Sequence, residues 1–105
     1  MRNQNMNLIE GIVKVYQSSS FAKTVKKFEK KQKLELDGEI KKIIQDPSIG
    51  SEKKGDLRGV FVHKFKIQNT FYLLSYRMLG DDIELAMIGP HENYYRDLKS
   101  YLKCR

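Results

Sequence analysis

The stretch "GPHENYYRDLKSYL", Gly89 to Leu102, gathers a histidine and two adjacent tyrosines between a predicted strand and the last predicted helix. An imidazole, whose ordinary pKa is near 6.5, can give or take a proton at neutral pH. Tyr95 follows His91 by four residues, so on a helix both face the same side, whereas Tyr94 is rotated by about 100°. We therefore treat His91 and Tyr95 as candidate site residues and assign Tyr94 to the packed side of the helix.

Basic side chains recur at alternate positions in the strands predicted before this junction. Successive side chains of a strand point to opposite faces of a sheet. In Val60 to Ile67 the phenylalanines and His63 therefore share one face, and Lys64 and Lys66 share the other. The apolar face is expected to meet the helices, with His63 as a core histidine. Arg77 of the next strand shares the face of the two lysines, which we expect to be open.

The same alternation assigns the other strand positions. The core should receive the inward residues of the last two strands, namely Tyr72, Leu74, Tyr76, Met78, Ile83, Leu85 and Met87. The open face should receive Phe71, Leu73, Ser75, Glu84, Ala86 and Ile88. A glycine-punctuated loop, Ser48 to Gly59, adds Lys53, Lys54 and Arg58 beside that face. Such a surface would attract phosphate groups.

The elements that must position these residues follow the order β-α-α-β-β-β-α. Ile9 to Tyr16 is predicted as the first strand, followed by a helical hairpin with apolar residues at helical spacing. The second helix should end at Asp46, because a residue before proline is disfavoured in the α conformation. Short turns join the next three strands into an antiparallel meander. Helices on one face of this sheet, with a C-terminal helix, predict a two-layer α+β domain.

Composition narrows the class of protein. A chain of 105 residues predicts one domain, 1–105, with residues 1–8 as a flexible tail. The net charge of +7 favours a polyanionic partner, either a nucleic acid or an acidic protein. One cysteine and two distant histidines give no disulfide and no metal-ligand spacing, so no cofactor is expected. Without a signal core or a membrane-length apolar run, we expect a cytoplasmic protein with no membrane partner.

Three phrases in the sequence resemble a known family. "KGDLRGVFVHKFKI", "FYLLSYRM" and "IGPHENYYRDLKSYL" are similar to the RelE/ParE superfamily of bacterial type II toxins, and the resemblance covers about Ile12 to Leu102. It implies a toxin that a cognate antitoxin holds inactive. It also implies one of two targets, since the RelE branch cleaves messenger RNA in the ribosomal A site. The ParE branch poisons DNA gyrase and has no RNase centre.

The resemblance assigns roles to individual residues. Lys64 and Lys66 match basic positions of RelE-like enzymes, whereas Leu73 stands where many members carry an arginine, for which Arg77 could partly compensate. His91 and Tyr95 match the histidine and aromatic residue of YafQ-like RNases.

The favoured interpretation is a toxin that cleaves messenger RNA on the ribosome. RNA supplies its own nucleophile, the 2′-hydroxyl, and cleavage needs proton transfer and cations that offset the charge developing on phosphorus. The predicted catalytic residues are His91, Lys64, Lys66, Arg77 and Tyr95. The predicted RNA contacts are Lys53, Lys54, Arg58 and Arg96.

Other interpretations of the same residues stay open. His91 could cap the last helix, Tyr95 could cover the edge of the core, and the strand lysines could be solvated residues that discourage edge pairing. The leucine at position 73 favours a gyrase poison or a non-toxic nucleic-acid-binding module of the same fold.

Overall fold

The computed structural model describes residues 13–55, 58–90, 98–99 and 102, and the backbone of residues 4–5. The strands are β1 (Gln4–Asn5), β2 (Val15–Gln17), β3 (Ser51–Glu52), β4 (Phe61–Ile67), β5 (Thr70–Leu79) and β6 (Asp82–Pro90). The helices are α1 (Ser19–Val25) and α2 (Lys30–Gln45), and a 3₁₀ turn (Pro47–Ile49) follows α2. The predicted α+β class, with a helical hairpin and a three-stranded meander, is confirmed.

The described strands form one mixed sheet in the order β1-β2-β6-β5-β4-β3. Short turns join β4, β5 and β6 in antiparallel pairs, whereas β2 runs parallel to β6. β2 begins at Val15, whereas the first strand was predicted from Ile9. Gln4 and Asn5, within the expected flexible tail, pair with Gln17 and Tyr16. Their pairing satisfies backbone groups that β2 would otherwise expose at an edge.

Each helix begins directly after the residue that caps its N-terminus, Ser18 for α1 and Glu29 for α2. The Ser18 hydroxyl accepts a hydrogen bond from Phe21 N at 3.0 Å and donates one to Ala86 O at 2.6 Å, which fixes α1 against β6. At the start of α2 the Glu29 N–H donates to the Gln32 side chain at 2.8 Å. The helix ends at Gln45, just before Asp46 and Pro47, as the sequence predicts.

The main core lies between the helices and one sheet face. The apolar residues of α2 pack there with inward residues of every long strand: Leu36, Ile40, Ile43, Ile44, Phe65, Ile67, Leu74, Tyr76, Ile83 and Leu85. The assignment of the apolar face of β4 to the helices is therefore confirmed. Met78 of β5 was predicted to point into the core, but it is 36% exposed. It extends beyond β4, whose pairing with β5 stops at Phe61 and Tyr76.

The opposite sheet face is only partly open, so the expectation of an open face needs correction. A second apolar cluster covers part of it, formed by Val60, Val62, Leu73 and Leu98, with Met87 and Leu102 against them. Leu98 and Leu102, both helical, were predicted to dock the last helix. Leu98 is fully buried on the face away from α1 and α2. The rest of the predicted final helix, including Tyr94 and Tyr101, lies outside the described residues.

An irregularity in the β5–β6 pairing reverses part of the predicted alternation. Ser75 pairs with Met87 but Tyr76 pairs with Leu85, so Ala86 is an extra residue in β6. An inserted residue shifts the following side chains to the other face. Met87, predicted to point inward, therefore joins the second cluster, and Ile88, predicted to point outward, joins the main core.

Candidate functional site

Two exposed lysines flank an exposed aromatic ring at one end of the sheet. Lys64 and Lys66 project from β4 on the face opposite the helices, as predicted. Their Nζ atoms lie 4.8 Å and 5.1 Å from the centroid of the Phe71 ring, which is 47% exposed. Phe71 pairs directly with Lys66 across the β4–β5 ladder. We call these three side chains the lysine–phenylalanine patch.

Leu73 separates this patch from the covered part of the face. It pairs with Lys64 across the ladder, yet it is 2% exposed and packs in the second apolar cluster. The sheet face therefore changes from apolar and covered to cationic and exposed within about one residue pair. The position at which the resemblance implied an arginine contributes packing and no charge.

The structure does not bring Arg77 to the two lysines. Leu73 is the residue opposite Lys64, and Arg77 lies four residues farther along β5, which corresponds to about 13 Å. Both Arg77 Nε and Nη2 donate to Glu84 Oε1, at 3.1 Å and 2.6 Å. Glu84 is 4% exposed. The ion pair links β5 to β6 at the end of the sheet away from the patch.

The loop that precedes β4 forms a second basic region. Lys53, Lys54 and Arg58 line a cavity of about 440 Å³ together with Glu52 and Gly55. The Lys53 N–H donates to Val60 O at 2.9 Å, which fixes the loop to the start of β4. The structure therefore brings the three predicted loop cations together, beside the start of β4. Lys64 and Lys66 lie farther along the same strand.

The remaining predicted site residues, His91, Tyr95 and Arg96, lie outside the described residues. Their roles stay predictions. The last residue of β6 is Pro90, which pairs with Tyr72 of β5. Tyr72 is the neighbour of Phe71 along β5, so the chain leaves the sheet next to the lysine–phenylalanine patch.

His63 and Glu39 form a separate half-buried pair on the helix side of the sheet. His63 Nε2 lies 2.8 Å from Glu39 Oε1, and the imidazole stacks on Phe65 with centroids 5.4 Å apart. Burial tends to raise the pKa of Glu39, but hydrogen bonds from His63 and Lys42 outweigh it and hold that pKa below its usual value. The expected satisfied ring nitrogen of His63 is confirmed, but the side chain is half-buried beside the core and is not part of it.

Two residues on this side of the sheet have no role predicted from the sequence. Phe71 was placed on the open face but was not linked to the lysines, although β4–β5 pairing through the Gln68-Asn69 turn would have indicated it. Glu84 was placed outward with no partner. Its ion pair with Arg77 depends on the register set by the turn at Gly80 and Asp81, where Gly80 has a φ of +65°.

The described surface offers cations and an aromatic ring, a combination suited to holding a polyanion that carries planar groups. Within the described ranges, no cluster of histidine, cysteine and carboxylate side chains could hold a metal ion. No helix in the same part of the chain has the length and hydropathy that spanning a bilayer requires.

Comparison with known proteins identifies relatives of this fold. A family model described as "ParE-like toxin of type II bacterial toxin-antitoxin system" matches residues 15–99. The crystal structure of the intact E. coli RelBE toxin–antitoxin complex contains a chain with a TM-score of 0.60 and 16% identity, covering 74% of this chain and 95% of that one. The isolated E. coli RelE toxin gives a TM-score of 0.58 and 16% identity, covering 82% and 95%. No curated protein matches the sequence.

Proposed function

Because the chain belongs to the ParE-like toxins of bacterial type II toxin–antitoxin systems, we propose that it inhibits growth by cleaving messenger RNA on the ribosome. A toxin of this kind implies a cognate antitoxin as its partner. The observation that most supports RNA cleavage is the exposed pair of lysines, Lys64 and Lys66, on the sheet face beside the end of β6. The similarity in fold to RelE is in accord with this activity.

The lysines would act on the phosphate at the cleavage point. The 2′-oxygen attacks phosphorus and the bond to the 5′-oxygen breaks, which leaves a 2′,3′-cyclic phosphate and a free 5′-hydroxyl. Negative charge on the non-bridging oxygens increases in the transition state, and the ammonium groups of Lys64 and Lys66 stabilise it. Both groups are exposed, so they gain strength only when bound RNA and ribosome exclude water from them.

His91 would supply the proton for the leaving group. It directly follows Pro90, which pairs with Tyr72, the neighbour of Phe71 along β5. In the proposed step the imidazolium protonates the 5′-oxygen while water takes the proton of the 2′-hydroxyl. Tyr95 would hold the substrate next to His91.

The other predicted cations would bind RNA away from the cleaved bond. Lys53, Lys54 and Arg58 would contact neighbouring phosphates through the cavity they line, and Arg96 would add a further contact. Arg77 has a different role in this proposal. Its ion pair with Glu84 links β5 to β6. Arg77 lies too far from the two lysines to act with them in the cleavage step.

Induction of the chain in cells tests the proposal. Primer extension on abundant transcripts should reveal new 5′ ends within codons soon after induction, along with growth arrest. His91→Ala and Lys64→Ala should each abolish these ends, while accumulation of the protein stays unchanged. Intact transcripts in arrested cells would refute the proposed activity.

A gyrase poison is the second candidate, and one observation favours it. Leu73 is buried in an apolar cluster, so the face lacks the arginine that RelE-like RNases often carry there. The same induced cells distinguish the two functions, because a gyrase poison causes DNA breaks and altered plasmid supercoiling while messages stay intact.

A further inference from the structure

The Phe71 ring is not explained by the packing of the fold. It belongs to neither apolar cluster, and 47% of the residue remains exposed. Its described contacts with charged groups are those with Lys64 and Lys66, and an exposed cation–π contact of this kind is weak. The described pairing of β5 with β6 starts at Tyr72, so no described strand lies beside Phe71 on that side. An aromatic ring held on a sheet surface with two cations over it is suited to binding a ligand.

We propose that Phe71 is a base-stacking platform that holds one nucleobase of single-stranded RNA while Lys64 and Lys66 bind the adjoining phosphates. This inference rests on the proposed function in taking RNA as the ligand, and it assigns Phe71 a role in positioning the substrate. The ring offers a π-face that any base can stack on.

The two chemistries of the patch together select this ligand. The lysines alone would bind any polyanion, including an acidic peptide, but an acidic peptide offers nothing that requires an exposed ring. A single-stranded nucleic acid presents planar bases and phosphates at a regular spacing, and unpaired bases are free to stack on aromatic side chains. Lysine side chains are flexible enough to turn from the ring to a phosphate without movement of the strand.

The location of the ring explains how stacking would assist cleavage. Phe71 and Lys66 are a direct cross-strand pair, so a base on the ring would place its own phosphate within reach of the ammonium groups. Pro90 pairs with Tyr72, the residue after Phe71, so the described end of β6 lies beside the proposed position of the nucleotide. A stronger π-contact with larger bases predicts a preference for a purine over a pyrimidine at this position.

Binding can be measured without cleavage. Short oligoribonucleotides that are 2′-O-methylated lack the nucleophile, so their affinity can be followed by fluorescence anisotropy with an adenine, a uracil or an abasic site at the central position. For the adenine oligomer, Phe71→Leu should weaken binding about ten-fold, and Phe71→Trp should restore it. For the abasic oligomer, Phe71→Leu should have no effect, whereas Lys64→Ala with Lys66→Ala should weaken the binding of every oligomer.

The controls separate this inference from the proposed function. Phe71 lies outside both apolar clusters, so Phe71→Leu should unfold in urea at the wild-type midpoint. If Phe71→Leu is less stable than the wild type, Phe71→Trp, which retains an aromatic ring, still tests the stacking role. The stacking role would be overturned if Phe71→Leu weakened the binding of adenine and abasic oligomers equally. It would also be overturned if Phe71→Leu weakened only the binding of an acidic peptide such as polyglutamate. If the adenine-specific loss is found but induced cells keep their messages intact, the stacking role stands and the RNase function fails. If the wild type and Phe71→Leu both cut messages and bind the adenine oligomer with equal affinity, the RNase function stands and the stacking role fails.

Discussion

Tyr76 ties the turn after α2 to the centre of the sheet. Its side chain is fully buried, and its hydroxyl donates to Pro47 O and accepts from Gly50 N at 3.1 Å. Burial raises the pKa of this phenol above its usual value. A Cβ atom on Gly50 would lie 2.6 Å from the Tyr76 hydroxyl, so the close approach requires glycine at that position. Gly50 belongs to the same loop as Lys53 and Lys54, so this contact also fixes the chain just before those lysines.

Removal of the hydroxyl alone should therefore destabilise the protein. Tyr76→Phe leaves Gly50 N and Pro47 O without their partner, and we expect a loss of about 1–2 kcal/mol in the free energy of unfolding, measured by urea denaturation. Tyr72→Phe is the matched control, because Tyr72 lies on the same strand and face with no described hydrogen bond from its hydroxyl. Equal losses in the two variants would contradict this role for Tyr76.

The Glu39–His63 pair should make stability depend on acid pH. Because the pKa of Glu39 is lower in the folded protein than in the unfolded chain, its contribution is present above the unfolded pKa of about 4.3 and is lost as pH falls through the folded value. We expect Glu39→Gln to flatten the decline in stability between about pH 5 and about pH 3. Glu35→Gln removes an exposed carboxylate one turn earlier on α2, and an identical flattening there would argue against the pair.

At the residue scale, the sequence predicts exposure better than partnership. The alternation in β4 identified Lys64 and Lys66 as exposed and Phe65 as buried, because β4 is regular and has one apolar side. It could not show that Arg77 is held by Glu84. That contact joins two strands, and its geometry depends on a register that local spacing does not contain.

At the scale of elements, the ion pair between Arg77 and Glu84 joins β5 to β6. Arg77→Met should destabilise the protein by about 2–3 kcal/mol in urea, because the nearly buried carboxylate loses its guanidinium while Arg77 itself is partly exposed. The double variant Arg77→Met, Glu84→Leu should recover most of that loss, since it removes both charges. A double variant as unstable as the single one would show that the ion pair is not the cause.

The C-terminal segment contributes to the fold through Leu98. This side chain is fully buried against Val62 and Leu73 on the face away from the helices, so Leu98→Ala should cost about 2–4 kcal/mol. Lys99→Ala is the control, because Lys99 is the exposed neighbour and should change stability by less than about 0.5 kcal/mol. A negligible effect at Leu98 would mean that the second cluster does not form in solution.

The longer described elements and their order were predictable because each carries a clear local signal, whereas β1 and β3, of two residues each, were not predicted. The proline after Asp46 and the short turns of the meander indicate helix and strand ends close to those observed. The faces of β6 were not predictable beyond Ala86, because the extra residue is visible only in the pairing with β5. Leu98 is buried, as its place in the predicted apolar stripe indicates, but the sequence does not show which sheet face it packs against.

At the scale of the whole molecule, two surfaces concentrate many of the exposed cations in the described part of the chain. One is the sheet end with the lysine–phenylalanine patch and the loop cations. The other is the exposed side of the helical hairpin, which carries Lys23, Lys26, Lys27, Lys30, Lys31 and Lys33. The first combines cations with the exposed ring of Phe71, whereas lysines predominate on the second. An acidic antitoxin segment that blocks activity would need to cover the first surface.

The central claim is that Lys64 and Lys66 act in cleavage and do more than add positive charge. The most direct test is single-turnover cleavage of a messenger on purified, programmed ribosomes, comparing the wild type with two variants of equal net charge. Lys64→Ala with Lys66→Ala should lower the cleavage rate at saturating protein by at least about 100-fold, because transition-state stabilisation is lost. Lys30→Ala with Lys31→Ala, on α2, should leave that rate within about two-fold of wild type. Equal rates for the two variants, or no cleavage by the wild type, would contradict the account.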